Sequence, residues 1–351
     1  MISAGGTGGH IYPALALAGR LKQDGVECIF IGSKDRLEGK LIPQNGYPFL
    51  SLDIPNTSGS LIRKIRYVCS MGKEILSCRK ILRQYQPDAV IGFGNYISVP
   101  VILAAKLNGI VTMISEQNSF AGKANIFLGR YADAVELAYE RSAADFDSKK
   151  VRVLGNPQAE TCARHSADPK ILNEYGIDET KPFAAVMMGS LGSSSMSELI
   201  DRACELTDGF QILIAAGKAN DYVFRTKRPG VIVREYISGI DVLKLCDLAV
   251  CRAGATTLAE LAAAGTPSIL VPSPFVPNNH QYYNALELKE NGAAVLLEEK
   301  ELTAESLAEA MNRLMKDDAL RQSMSEHAAA LAKPTAAEDM VSWLKEICDG
   351  Q

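Results

Sequence analysis

The chain is 351 residues long and 47% apolar, enough for two domains with a core each. Its formal net charge of −4 argues against general nucleic-acid binding, and no apolar run approaches the ~18 residues of a membrane span. No basic-then-apolar leader opens the sequence, and its eight cysteines include no Cys-x-x-Cys pair, so neither export, a zinc site nor a disulfide framework is expected. A reducing cytoplasm fits.

Met1–Ser3 read as a first strand too short for the centre of a sheet, so the natural start is expected a few residues upstream. Gly5-Gly6-Thr7-Gly8-Gly9-His10 follows and leads into a helical run. Four glycines in five positions let backbone N–H groups converge on an anion, and the helix adds the positive end of its dipole. A phosphate-bearing ligand is the natural guest, and His10 beside it can accept a proton near neutral pH. The spacing excludes a dinucleotide fingerprint: Ile11 stands where the third glycine is needed, and no acid ends the second strand near Ile31-Gly32. No ATP-binding Gly-x-x-x-x-Gly-Lys-Ser/Thr occurs either.

Further strands are expected at Cys28–Ile31, Phe49–Leu52, Ala89–Phe93, Val111–Ile114, Ala134–Leu137 and Val151–Leu154, alternating with helices as in a parallel α/β domain. Between Leu61 and Pro87 stand Arg63, Lys64, Arg66, Lys73, Arg79, Lys80 and Arg83 against Glu74 alone. Ile62, Ile65, Cys69, Ile75, Leu76 and Leu82 fall among them near helical spacing, the pattern of a helix resting on an anionic membrane surface. A second glycine turn, Gly92–Tyr96, precedes a helix at Val99–Leu107. Asp145-Phe146-Asp147 matches a metal-binding Asp-x-Asp pattern but reads as a solvated loop.

The polar stretch Gln158–Asp168 is read as the connection to a second α/β domain, with strands at Phe183–Met188, Gln211–Ala215, Val231–Val233, Leu248–Cys251, Ser268–Val271 and Ala294–Leu297. Gly189–Ser193 is a third glycine turn. Arg252-Ala253-Gly254-Ala255-Thr256-Thr257 leads into a helix whose first N–H groups suit a diphosphate, while Glu260, about one turn on, suits ribose hydroxyls. Glycine turns at the carboxyl ends of strands in two domains favour a large phosphorylated ligand shared between them. His280-Gln281 open a helix after the loop Pro272–Asn279, whereas His165 and His327 stand in polar surroundings and are expected to be inert. Helices dominate from Thr303, and Pro334 precedes a last one around Met340–Ile347.

Seven segments in order carry a resemblance. They are Gly5-Gly6-Thr7-Gly8-Gly9-His10-x-x-Pro13, Gly92-x-Gly94-x-Tyr96-x-Ser98-x-Pro100, Glu116-Gln117-Asn118-x-x-Ala121-Gly122 with Asn125, Gly155-Asn156-Pro157, Gly189-Ser190-x-Gly192, Cys251-Arg252-x-Gly254-Ala255-x-Thr257-x-x-Glu260, and Gln281-x-x-Asn284-Ala285. Together the chain resembles the bacterial N-acetylglucosaminyltransferases of peptidoglycan synthesis in glycosyltransferase family 28. The resemblance implies the GT-B fold, two Rossmann-like parallel α/β domains facing each other across a cleft. An N-terminal domain at 1–157, joined by a C-terminal helix at 335–351, would bind the acceptor and the membrane, and a domain at 158–334 the UDP-sugar.

It further implies inverting, metal-independent transfer from UDP-N-acetylglucosamine to the C4 hydroxyl of the muramyl sugar of lipid I, giving lipid II, without a cofactor, at the cytoplasmic face of the membrane. His10 would be the base and Glu116 a second catalytic residue. Thr7, Gly8, Gly9, Asn125, Ser190, Tyr236, Ile237, Ala255, Thr256, Thr257, Glu260 and Gln281 would meet the donor. Within that set Ser190 and the Ala255–Thr257 amides go to its diphosphate, Tyr236 and Ile237 to uracil, Glu260 to ribose, and Gln281 and Asn125 to the sugar. Gly5, Gly6, Gly94, Asn95 and Tyr96 would hold the acceptor. Ala159, Ser115, Asn95 and His280 replace the arginine, histidine, glycine and glutamine usual in the family, and Leu191 and Ser193 alter the third turn; donor affinity or identity could differ accordingly. The alternatives are a UDP-N-acetylglucosamine 2-epimerase, which has no use for the basic apolar helix, and a non-catalytic sugar-nucleotide binder.

Overall fold

Short apolar runs, fully buried in the central strands and partly exposed in the edge strands, alternate with helices to build two parallel sheets. The computed structural model describes residues 1–52, 61–189, 194–217 and 221–350, with backbone alone for 61–70 and 194–195. The chain divides into one unit of Met1–Glu160 with Thr335–Gln351 and another of Thr161–Pro334.

The first unit contains strands β1 (Ile2–Ser3), β2 (Phe30–Ser33), β3 (Phe49–Leu52), β4 (Ala89–Gly92), β5 (Val111–Glu116), β6 (Ala134–Leu137) and β7 (Val151–Val153), in the order β3-β2-β1-β4-β5-β6-β7. Its helices are α1 (Gly8–Gln23), α2 (Leu37–Gln44), α3 (Leu61–Tyr85), α4 (Asn95–Leu107) and α5 (Lys123–Gly129). Although β1 is two residues long, it lies inside the sheet. The ladder extends past it, with Ile2 N–H donating to Ile29, Ile91 N–H to the Met1 carbonyl and Phe93 N–H to Ser3.

One helical expectation needs correction. The helix placed at Val99–Leu107 starts four residues earlier, because Gly94 at φ 84° caps it and Asn95 at φ 64° turns the chain directly into it. Leu76 does not share a buried face with Leu82. Glu74, Cys78 and Leu82, four residues apart, turn inward from α3, while Lys73, Leu76, Lys80 and Arg83 form an exposed line. The side chains of Ile62, Arg63, Lys64, Ile65, Arg66 and Cys69 fall outside the described residues. Among the described residues no helix is long and apolar enough to cross a membrane.

The stretch expected as an irregular connection holds helix α6 (Gln158–Arg164), since Asn156 Oδ1 accepts from Gln158 N–H and Pro157 suits a first helical turn. The second unit continues with α7 (Lys170–Tyr175), β8 (Phe183–Met187), α8 (Ser194–Glu205), β9 (Gln211–Ala215), β10 (Val231–Arg234), α9 (Gly239–Leu245), β11 (Leu248–Cys251), α10 (Ala255–Ala264), β12 (Ser268–Leu270), α11 (His280–Glu290), β13 (Ala294–Leu296), α12 (Ala304–Lys316) and α13 (Asp318–Ala330). Its sheet runs β10-β9-β8-β11-β12-β13, the strand order of the first sheet without a seventh strand. His165 lies 2.5 Å from Asp241 on α9, and Lys244 holds its carbonyl. Asp145 and Asp147 are exposed, and Asp147 caps a short 3-10 helix through Lys149 N–H.

The last helix, α14 (Ala336–Asp349), belongs to the first unit. Met340, Val341, Trp343 and Leu344 pack into one core with Ile11, Leu17 and Leu21 of α1. Arg152 stacks 4.8 Å from the Trp343 ring centroid and pairs bidentately with Glu346 at 2.8 and 2.9 Å; Glu338 N–H donates to the buried Glu160 carboxylate.

Candidate functional site

Parallel strands deliver their following turns to one edge of a sheet, where open α/β sheets bind ligands. In the first unit β2, β1, β4 and β5 are consecutive neighbours, so Ser33–Arg36, Ala4–Thr7, Phe93–Tyr96 and Gln117–Gly122 lie side by side. Thr7 is the N-cap of α1, and Gly8, Gly9 and His10 are its first three residues. The His10 ring reaches Thr7 Oγ1 through Nδ1 at 3.1 Å. When Nδ1 carries the proton and donates to that hydroxyl, Nε2 presents its lone pair, the tautomer a base needs.

Gly94 joins His10 to Asn125. A Cβ on Gly94 would lie 3.2 Å from Asn125 Nδ2 and 3.5 Å from His10 Nε2, so both side chains flank one point above the turn. Asn125 on α5 is buried and donates to Glu116 Oε2 at 2.9 Å and to the Ser115 carbonyl at 3.1 Å. Glu116, the last residue of β5, also accepts from Gly122 N–H at 2.9 Å and from the Asn118 backbone and side chain at 3.0 and 3.1 Å. Both its oxygens are engaged within the protein, and the bonds clasp the loop that carries Asn125.

Behind this clasp Ser115 Oγ donates to Glu136 Oε2 at 2.5 Å and accepts from Gln117 Nε2. Burial lifts the Glu136 carboxyl well above its ordinary range, and the nearby Glu116 charge adds to the effect. Gln117 Oε1 and Asn125 Oδ1 are buried without a hydrogen-bond partner among the described residues, so each keeps an unmet acceptor.

The Gly5–Gly6 turn differs from an open cradle of amides. Gly6 N–H donates to Glu38 Oε2 at 3.0 Å, and Ser33 N–H reaches Glu38 Oε1 at 3.3 Å. Asn95 Nδ2 donates to the Gly5 carbonyl at 3.2 Å, while Asn95 Oδ1 accepts from Tyr96 N–H at 2.6 Å. A Cβ on Gly5 would stand 2.4 Å from Glu38 Oε1, and one on Gly6 1.9 Å from Asn95 Nδ2. The glycines are therefore required by packing, and the Gly6 amide expected to face an anion is held by a carboxylate. Burial raises the Tyr96 phenol above its ordinary pKa, an effect that neighbouring Arg36 opposes. Neither Glu38 nor Arg36 stands out in the sequence, because an acid in the first turn of a helix is an ordinary dipole partner.

In the second unit Gly254 caps α10, and Ala255, Thr256 and Thr257 are its first three residues, whose N–H groups have no partner within the helix. Thr256 Oγ1 is buried with no hydrogen-bond partner among the described residues. The turn is held from behind: Asn284 Nδ2 donates to the Ala253 carbonyl at 3.2 Å, and Arg252 pairs with Glu299. Glu260 is half-exposed further along α10. Tyr236 is exposed, but the Ile237 side chain packs in the core with Leu172, Phe183 and Val242, so Ile237 can offer a ligand only its backbone. Gln281 spends its oxygen on Ser273 N–H at 2.8 Å, leaving the amide N–H groups to meet a ligand. Ser190 lies outside the described residues.

Models of the glycosyltransferase family 28 N-terminal domain and C-terminal domain match residues 1–136 and 183–340. Two relatives bear the name UDP-N-acetylglucosamine–N-acetylmuramyl-(pentapeptide) pyrophosphoryl-undecaprenol N-acetylglucosamine transferase. The one from Pediococcus pentosaceus is 34% identical, covering 99% of each chain, and the one from Limosilactobacillus fermentum is 37% identical, covering 100% of this chain and 99% of its own. A crystal structure of Acinetobacter baumannii MurG superposes with a TM-score of 0.79 at 28% identity, covering 99% of both chains.

Proposed function

Because the chain belongs to glycosyltransferase family 28, with N-acetylglucosamine transferases as relatives over its whole length, we propose that it makes lipid II. It transfers N-acetylglucosamine from UDP-N-acetylglucosamine to the muramyl sugar of undecaprenyl-pyrophosphoryl-linked lipid I. The observation that supports chemistry at this site is the convergence of the His10 ring and the Asn125 amide on Gly94.

In this reading the acceptor C4 hydroxyl attacks the anomeric carbon with inversion. The bond from that carbon to the UDP oxygen breaks, a glycosidic bond forms, and the hydroxyl proton passes to His10 Nε2. His10 sits in the first turn of α1, with its Nδ1 held by Thr7 Oγ1. Charge on the departing diphosphate is met by the Ala255, Thr256 and Thr257 amides and the α10 dipole, and the reading assigns no metal to this step. Glu260 serves the ribose and Gln281 the sugar. Glu116 is a positioning residue here, since its oxygens are engaged by Asn118, Gly122 and Asn125.

The exposed line Lys73, Leu76, Lys80 and Arg83 supports a peripheral seat on anionic lipid at the cytoplasmic face. Incubating the purified protein with labelled UDP-N-acetylglucosamine and a short-chain lipid I analogue tests the activity. Disaccharide product is expected, and nucleotide-sugar binding without product would leave a binder. Sedimentation with phosphatidylglycerol but not phosphatidylcholine vesicles tests the membrane seat.

A further inference from the structure

The turn after β2 brings a cation to the glycine turns. Arg36 is half-buried, and its guanidinium carbon lies 5.4 Å from the centroid of the Tyr96 ring. Tyr96 directly follows Asn95, whose amide is bonded to the Gly5 carbonyl, and Glu38, two residues beyond Arg36, holds the Gly6 N–H. Arg36 is thus tied to both glycine turns.

Arg20, Arg152, Arg252 and Arg321 each reach a carboxylate, whereas Arg36 makes no ion pair among the described residues. Arg228 also stacks on a ring, that of Phe210, but its guanidinium donates to the Thr207 and Phe210 carbonyls. An aromatic face steadies a guanidinium from one side and leaves its N–H edge to form paired bonds with phosphate oxygens. The turn needs such a group. With the Gly6 amide engaged and the Glu38 carboxylate behind it, backbone amides there supply less positive potential than the glycine pattern suggests.

We infer that Arg36, stacked on Tyr96 beside the Gly5–Gly6 and Gly94–Asn95 turns, binds the diphosphate of the lipid-linked acceptor. This rests on the transferase reading only for the identity of the acceptor; the chemistry recognised is an isoprenyl diphosphate.

Two measurements test it, and both use the full chain. In transfer assays Arg36→Ala raises the KM for the lipid I analogue by about ten- to a hundredfold, leaves the KM for UDP-N-acetylglucosamine within about twofold, and Arg36→Lys recovers part of the loss. An acceptor KM within twofold of the parent overturns the inference. In calorimetric titrations with UDP saturating the nucleotide site, the parent protein binds a fifteen-carbon isoprenyl diphosphate and Arg36→Ala binds it at least about tenfold more weakly. Equal binding overturns the inference, as does inorganic diphosphate binding as tightly as the lipid, which would make Arg36 a site for the free ion. If the parent binds the isoprenyl diphosphate through Arg36 but forms no disaccharide, the transferase reading falls and the Arg36 site stands. Unchanged thermal unfolding of the variants separates lost binding from lost fold.

Discussion

The two sheets share one strand order, so the turn after β4 has its counterpart in the turn after β11. Glycine caps the following helix in both, but the reasons differ. Gly94 sits at φ 84°, and its missing side chain makes room for Asn125 and His10. Gly254 sits at an ordinary φ of −70°, and the nearest atom to an added Cβ is Thr257 Oγ1 at 3.8 Å. One turn is shaped around side chains that could react. The other is shaped to expose the start of a helix, which suits holding a charged group without reacting with it.

The largest effect expected from this contrast is at His10. His10→Ala lowers kcat by about 10²- to 10⁴-fold while UDP-N-acetylglucosamine binds within about twofold of the parent, read by transfer assay and calorimetry. Near-normal turnover would remove His10 as the base. Next, Gly94→Ala lowers stability by about 1–3 kcal/mol through its positive φ and drops kcat at least about tenfold by displacing His10 and Asn125. Gly254→Ala stays within about 0.5 kcal/mol in the same denaturation experiment, and equal penalties at the two glycines would dissolve the comparison. Thr256→Val removes a buried hydroxyl that has no partner among the described residues, so stability holds or rises by up to about 1 kcal/mol while the donor KM alone rises about fivefold.

The smallest effect is a pH dependence at Glu136. Its pKa is raised in the folded protein, so the folded state binds the proton more tightly than the unfolded one. Stability is then fully present below the ordinary carboxyl pKa and is lost as pH rises from there toward the raised value. Glu136→Gln keeps an acceptor for Ser115 and abolishes the loss. Its melting temperature should match the parent at about pH 4 and exceed it by about 2–4 °C near pH 8, and parallel curves would sink the idea.

Much of this was legible in the sequence for a local reason. Strand runs and glycine turns are short patterns whose physics is complete within a few residues, whereas Glu116 and Asn125 entered only through the family resemblance. Glu38 was not, since only the pairing of β2 with β1 brings its carboxylate to Gly6. Glu136 was hidden similarly, because a lone acid in the apolar run Ala134–Leu137 acquires its partner across the β5–β6 register. Helix α6 was missed although Asn156-Pro157 is a sound helix start, and Ile237 reads as a ligand residue until the core claims its side chain. Local spacing identifies which turns matter; long-range register decides which of their atoms remain available.

The return of α14 to the first unit governs the order in which the protein can be assembled. The 174 residues of Thr161–Pro334 are contiguous and can close around their own sheet as they are made. The first unit must wait for Met340, Val341, Trp343 and Leu344 to cover Ile11, Leu17 and Leu21. At a synthesis rate of ~5–20 residues per second, α1 keeps an uncovered apolar face for roughly 10–35 s after its own sheet has been translated. The glycine turn that opens α1 is thus synthesised well before the helix that covers α1.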